Sequence, residues 1–214
     1  MTLLQEKIAS DTWIDSTWDE FIHATENPDY QQGKFYFYQQ KLRIEMPPLG
    51  NDHASDQSII NTAIYLYVLS KNIEMNAKDN CSYRKLGYYE AQPDLSYYLQ
   101  ERVNAIPYGT SIINLDKFSP PTLVIEIANT SLNDDQGTKR LLYEELGIKE
   151  YWIVNVKKGE IMAFKMENKG SYRITESQVL PNLQIAILEE ALKMTRETNH
   201  TVVGAWLLQK FSES

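Results

Sequence analysis

Cysteine is nearly absent: the 214 residues contain only Cys81. A disulfide within the chain is thereby excluded, and the usage fits a reducing, cytosolic compartment. The flanks of Cys81 (K-D-N-C-S-Y) hold no second cysteine or histidine, so they give no basis for a zinc site. Histidine is almost as scarce, and His23, His53 and His200 lie in no triad-like context, which removes support for a histidine-based nucleophilic mechanism. No stretch approaches the roughly 20 apolar residues that would span a bilayer. The first residues, M-T-L-L-Q-E-K-I-A-S, lack a basic leader and a long apolar run, and predict neither a signal peptide nor a membrane partner. Positive charge is short as well: 21 Lys+Arg against 29 Asp+Glu give a net charge of −8. That balance argues against a tight, dedicated DNA binder, because phosphate neutralisation by basic residues supplies most non-specific affinity. It is compatible with a site built from carboxylates around a metal.

What remains is ordinary globular composition, 43% hydrophobic and 11% aromatic, with no repeat, low-complexity tract or linker. A chain of this length buries about 70% of its unfolded surface and folds without staples. The reading is therefore a single domain over 1–214, with an N-terminal helix and a C-terminal helical region. Trp18, Phe21 and Ile22 share a helical face, with Ser16 or Thr17 as cap and Asn27-Pro28 as stop. F-Y-F-Y-Q-Q-K-L-R-I-E-M (35–46) reads as a strand pair turning at Gln39-Gln40, with Leu42, Ile44 and Met46 alternating against polar neighbours. A long helix runs from about 53 to 72, capped by Asn51-Asp52, with Ile60, Ile64, Tyr67 and Val68 as its buried stripe. A loop is expected around 78–80, then strands through 83–90 and 93–99, and a polar insertion up to Asp116. The run 119–128 is apolar enough for a strand buried on both faces. A helix over 134–147, with Leu141 and Leu142 inward and Gly147 at its end, leads to a buried strand at 151–156 and two hairpins. The fold class is α/β, a mixed sheet flanked by helices.

Within this frame, Pro93-Asp94 heads a strand, Glu126 lies inside the most apolar strand, and Lys139 sits on the helix after it. A carboxylate in L-V-I-E-I-A requires a partner, a cleft or a cation, because burying an unpaired charge is costly. Carboxylates on neighbouring strands together suit a hard divalent ion such as Mg²⁺, and a nearby lysine suits phosphate chemistry.

Pro93-Asp94, Val124-Ile125-Glu126-Ile127, Asp135, Lys139, Tyr143 and Gly147-Ile148-Lys149-Glu150-Tyr151-Trp152-Ile153-Val154 together resemble the Uma-type restriction endonuclease family. That family is abundant in cyanobacteria and belongs to the PD-(D/E)XK, restriction-endonuclease-like superfamily. The resemblance covers roughly 15–190 and is most specific over 119–154. It implies a restriction-endonuclease-like core and Asp94 and Glu126 as ligands of Mg²⁺, with Mn²⁺ as a substitute. Lys139 would complete the catalytic set, and Asp135, Tyr143 and His53 would support it. The superfamily's lysine usually stands two residues after the acidic one, where this chain has Ala128. Tyr36 falls where the family often carries an early acidic residue, and Asn155 where an aspartate is common. The implied activity is Mg²⁺-dependent hydrolysis of DNA phosphodiester bonds in the cytoplasm, by a homodimer because two strands need two sites. A second function fits the same residues: a catalytically degenerate nuclease fold that binds nucleic acid or protein. Ala128, Tyr36 and the acidic net charge favour it.

Overall fold

The computed structural model describes residues 8–47 and 50–213. In chain order its strands and helices are β1 (Ile14–Asp15), α1 (Trp18–Glu26), β2 (Lys34–Tyr38), β3 (Lys41–Glu45), α2 (Asn51–Lys71), β4 (Met75–Asp79), β5 (Tyr83–Lys85), β6 (Tyr89–Ala91), β7 (Leu95–Leu99) and β8 (Ile113–Asn114). There follow β9 (Leu123–Ala128), α3 (Leu132–Gln136), α4 (Thr138–Leu146), β10 (Glu150–Asn155), β11 (Glu160–Glu167), β12 (Gly170–Ile174), α5 (Ile185–Met194) and α6 (His200–Glu213). The strands form two mixed sheets, one ordered β1-β3-β2-β6-β5-β8 and the other β12-β11-β10-β9-β7-β4.

Local chemistry explains most boundaries. Thr17 and Glu20 close a reciprocal capping box at the start of α1, and Asn27 ends it ahead of Pro28. Gln39 and Gln40 both take positive φ, 48° and 55°, which matches the twist of a tight β2–β3 hairpin. Gly147 ends α4 at φ 76°, the left-handed position glycine occupies without steric cost.

The second sheet is covered on both faces. On one face, Leu123, Ile125 and Ile127 of β9 and Leu95, Tyr97 and Leu99 of β7 join a core with α2, α5 and α6. On the other, Val124 and Ala128 pack with Tyr36, Tyr38, Leu142 and Tyr143 from β2 and α4. Each fully buried Leu, Ile or Val contributes about 1.5–3 kcal/mol by leaving water. Because side chains alternate along a strand, Glu126 must project with Val124 and Ala128, towards the first sheet and α4.

Four expectations need correction. The cap of α2 is Gly50, and Asn51 and Asp52 are its first helical residues. The loop expected around 78–80 overlaps the end of β4, an edge strand paired antiparallel to β7. The polar insertion contains the short strand β8, which lies parallel to β5. The single helix expected over 134–147 is two helices broken at Gly137, and Leu141 is 43% exposed while Leu142 is buried.

Candidate active site

The antiparallel register of β7 on β9 pairs Leu95 with Ile125; one step further places Asp94 beside Glu126. The side chain of Asp94 accepts from the Ile127 amide at 2.7 Å, and Glu126 Oε2 lies 3.4 Å from the Asp94 amide. The two carboxylates are thus bound to each other's strands. Both are buried, yet both line a cleft of about 460 Å³ whose wall also includes Lys34, Glu45, His53 and Lys139.

Each carboxylate has a distinct electrostatic setting. Asp94 Oδ1 pairs with Lys34 Nζ, and Oδ2 lies 3.3 Å from His53 Nε2. Burial alone would raise the Asp94 carboxyl, but the His53 hydrogen bond and the Lys34 ammonium outweigh it and hold the group well below the usual carboxylate range. Glu126 Oε1 accepts from Tyr143 Oη at 2.6 Å and from Tyr36 Oη at 3.2 Å. Burial pushes Glu126 up to about 8; Lys139 pulls it down, while the charges of Asp94, Asp135 and Glu45 push it further up.

Lys139 is 1% exposed and lies among three carboxylates: Glu45 at 2.8 Å, Asp135 at 3.0 Å and Glu126 at 3.5 Å. Its ammonium also sits 4.2 Å from the centre of the Tyr36 ring. Burial would lower its pKa, but Asp135, Glu126 and Glu45 raise it well above the ordinary lysine value. Asp135 accepts from Ser131 Oγ at 2.6 Å, and burial, against the pull of Lys139, raises its carboxyl. Glu45 behaves oppositely: burial would raise it, but Lys139 and Arg43 hold it below its ordinary value.

Of the six residues singled out in the sequence, Asp94, Glu126, Lys139 and His53 line this cleft, while Asp135 and Tyr143 are buried behind it, against Lys139 and Glu126 respectively. Four further participants lie outside that set. Tyr36, aligned where an acidic residue is common, is a hydrogen-bond donor to Glu126. The others are Lys34 on β2 and, on β3, Glu45 and Arg43; Arg43, 2% exposed, joins Glu45 at 2.9 Å to Asp134 at 3.0 Å. A signal for the Arg43–Glu45 pair exists, because both alternate with Leu42 and Ile44. That polar face meets the cleft.

The donor set fits a hard divalent cation. Asp94 and Glu126 offer oxygen only, and around Glu126 the carboxylates of Asp94, Asp135 and Glu45 outnumber the ammonium of Lys139. Among the described residues no three His, Cys, Asp or Glu side chains gather into a closed metal cluster. Two protein carboxylates with the remaining positions left to water is the arrangement Mg²⁺ favours.

This fold, with paired carboxylates and a lysine at the floor of a cleft, is that of a nuclease-like α/β protein. A solved structure described as a putative nuclease belonging to DUF820, from Anabaena variabilis, superposes with a TM-score of 0.57 at 18% identity, covering 82% of this chain and 98% of that one. At that identity the likeness concerns the fold. The family model Uma2, described as "Putative restriction endonuclease", matches residues 18–201, and the chain belongs to that family. Among curated proteins no match is found. No helix among the described residues is long and apolar enough to cross a membrane.

Proposed function

We propose that the protein is a Mg²⁺-dependent endonuclease that hydrolyses phosphodiester bonds in DNA, using a single restriction-endonuclease-like domain. The observation that carries this reading is the adjacent pair Asp94 and Glu126, buried at the floor of an open cleft with Lys139 3.5 Å from Glu126. Membership of a family described as restriction endonucleases supports the same chemistry.

Asp94 and Glu126 would hold the cation, which supplies Lewis-acid polarisation of a phosphoryl oxygen and a lowered pKa for water. The protein's own groups do the rest. Asp94 stays ionised beside Lys34 and His53, which is the state that cation binding requires. Tyr143 and Tyr36 fix the orientation of Glu126 from the side away from the Asp94 amide. Lys139 fixes positive charge at the cleft floor, and Asp135 and Glu45 hold it there across the break between α3 and α4. His53 acts by positioning Asp94. Cutting both strands of a duplex requires two such sites, so the active form is a homodimer in this reading, working in the cytoplasm.

Purified protein with Mg²⁺ or Mn²⁺ is expected to nick supercoiled plasmid, and Glu126→Ala to abolish nicking. Equal nicking by the two proteins would place the activity elsewhere. The alternative, a nuclease fold that binds without cutting, draws on the ion pair already seated on Asp94. It predicts no nicking, and retained binding of DNA or a protein, in Glu126→Ala and the parent alike.

A further inference from the structure

Lys34 lies outside the acid–acid–lysine set and comes from the first strand pair, on the opposite sheet from Asp94. Its ammonium nevertheless forms an ion pair with Asp94 Oδ1, and its side chain, 13% exposed, lies at the cleft wall. The Asp94 oxygens are unequal. Oδ2 is committed to two rigid partners, the Ile127 amide within β9 and His53 Nε2 near the start of α2. Oδ1 is held by Lys34, a compact charge on a flexible four-carbon stem. Glu126 repeats this inequality. Its Oε1 takes the two tyrosine hydroxyls, while Oε2 has only the Asp94 amide at 3.4 Å. The oxygens with coordinating capacity are therefore Asp94 Oδ1 and Glu126 Oε2, and a lysine already occupies the first. Two cations on one carboxylate oxygen repel, so a divalent ion cannot settle there while Lys34 remains.

We propose that Lys34 is a tethered counter-ion of Asp94, occupying the divalent-cation position in the metal-free protein and swinging into the cleft when Mg²⁺ or Mn²⁺ binds. This rests on the metal-dependent reading of the site. Lys139 cannot exchange in the same way, because three carboxylates surround it and it is almost fully buried. Lys34 has one carboxylate at ion-pair distance among the described residues, with Asp79 further off within reach of its charge, and a route to solvent along the cleft. Its arrangement makes metal entry a cation exchange, in which the ammonium freed from Asp94 stays in the cleft as positive charge facing a polyanionic substrate.

Mn²⁺ binding, followed by calorimetry on the full chain, tests this without any activity readout. Lys34→Met and Lys34→Gln are expected to bind Mn²⁺ about ten-fold more tightly than the parent, the worth of one charge-assisted hydrogen bond. Lys34→Arg, which keeps the charge, gains no affinity. In the parent, acylation of the Lys34 amine, read by mass spectrometry, rises when Mn²⁺ is added. Unchanged or weaker Mn²⁺ binding by Met and Gln variants, with the parent binding normally, overturns the counter-ion role and leaves the metal-dependent reading intact. Labelling of Lys34 that does not change while Mn²⁺ binds overturns it without recourse to any variant. Absence of Mn²⁺ binding by the parent and both variants overturns the two readings together.

Discussion

Glu126 and Asp94 are adjacent carboxylates of nearly equal burial, yet their surroundings drive them in opposite directions. Asp94 has a lysine and a histidine against it; Glu126 has two neutral hydroxyls and a lysine shared with two other acids. The consequence for stability has a definite sign. Glu126, pushed up to about 8 by burial, favours the protonated folded state, so its contribution is full below the ordinary carboxylate range and is lost as pH rises through about 8. Asp94 is lowered, so its contribution is lost only in acid and stays constant over the same window. Metal-free protein should therefore lose thermal stability between about pH 5 and about pH 9 more steeply than Glu126→Gln does, since glutamine keeps the acceptor for Tyr143 and never ionises. Melting curves of the two proteins that run parallel across that window would remove the electrostatic account of the site. At this scale the sequence exposes Glu126, because an acid in a run of six buried strand residues has to be explained. Lys34 and Glu45 carry no such mark: each ends a short strand of mixed polarity, where charge is commonplace.

The element that positions Lys139 is a broken helix rather than a continuous one. Periodicity carries through 134–147 and predicts a single helix, but Gly137 interrupts it with φ −99° and ψ −106°. Across the break Asp135 and Lys139 still meet at 3.0 Å, the i,i+4 contact of a helix, with Leu141 outside and Leu142 in the core. A Cβ at Gly137 would stand 2.9 Å from the carbonyl oxygen of Asn133, a backbone atom that cannot step aside alone. Gly137→Ala should consequently cost about 1–3 kcal/mol in chemical denaturation, as overpacking does, and weaken Mn²⁺ binding by displacing Lys139. A variant as stable as the parent would show that the break has room the geometry denies. Strand β4 escaped detection for a different reason. Met75–Asp79 is an edge strand with no fully buried residue; Ile73, Met75 and Ala77 do alternate towards the core, but the signal is short and rests on small or flexible side chains, so pairing with β7 is what defines the strand. Elements with a strong burial pattern, α2, β9 and β10 above all, are the ones legible in advance.

For the molecule as a whole, the site is a property of how two sheets meet. The second sheet brings Asp94 and Glu126 into register, the first supplies Lys34, Tyr36, Arg43 and Glu45, and α4 closes the space with Lys139 and Tyr143. Contacts between residues so distant in sequence leave no local pattern, which is why the first sheet's contribution was not legible while the acid–acid–lysine order was. The cleft sets Lys34, Arg43 and Lys139 against Asp11, Glu45, Asp94 and Glu126, so its own side chains do not offset the overall charge of −8, and in the proposed reading a bound divalent cation would supply the positive charge that a polyanionic substrate needs. The central claim is that Asp94 and Glu126 jointly hold a divalent cation. Anomalous diffraction from crystals soaked in Mn²⁺ tests it most directly. The account predicts one strong peak about 2.1 Å from an oxygen of each carboxylate, the distance of a hard divalent ion, with the Lys34 ammonium no longer on Asp94. A map with no peak between the two carboxylates at saturating Mn²⁺, and Lys34 still paired with Asp94, would contradict it.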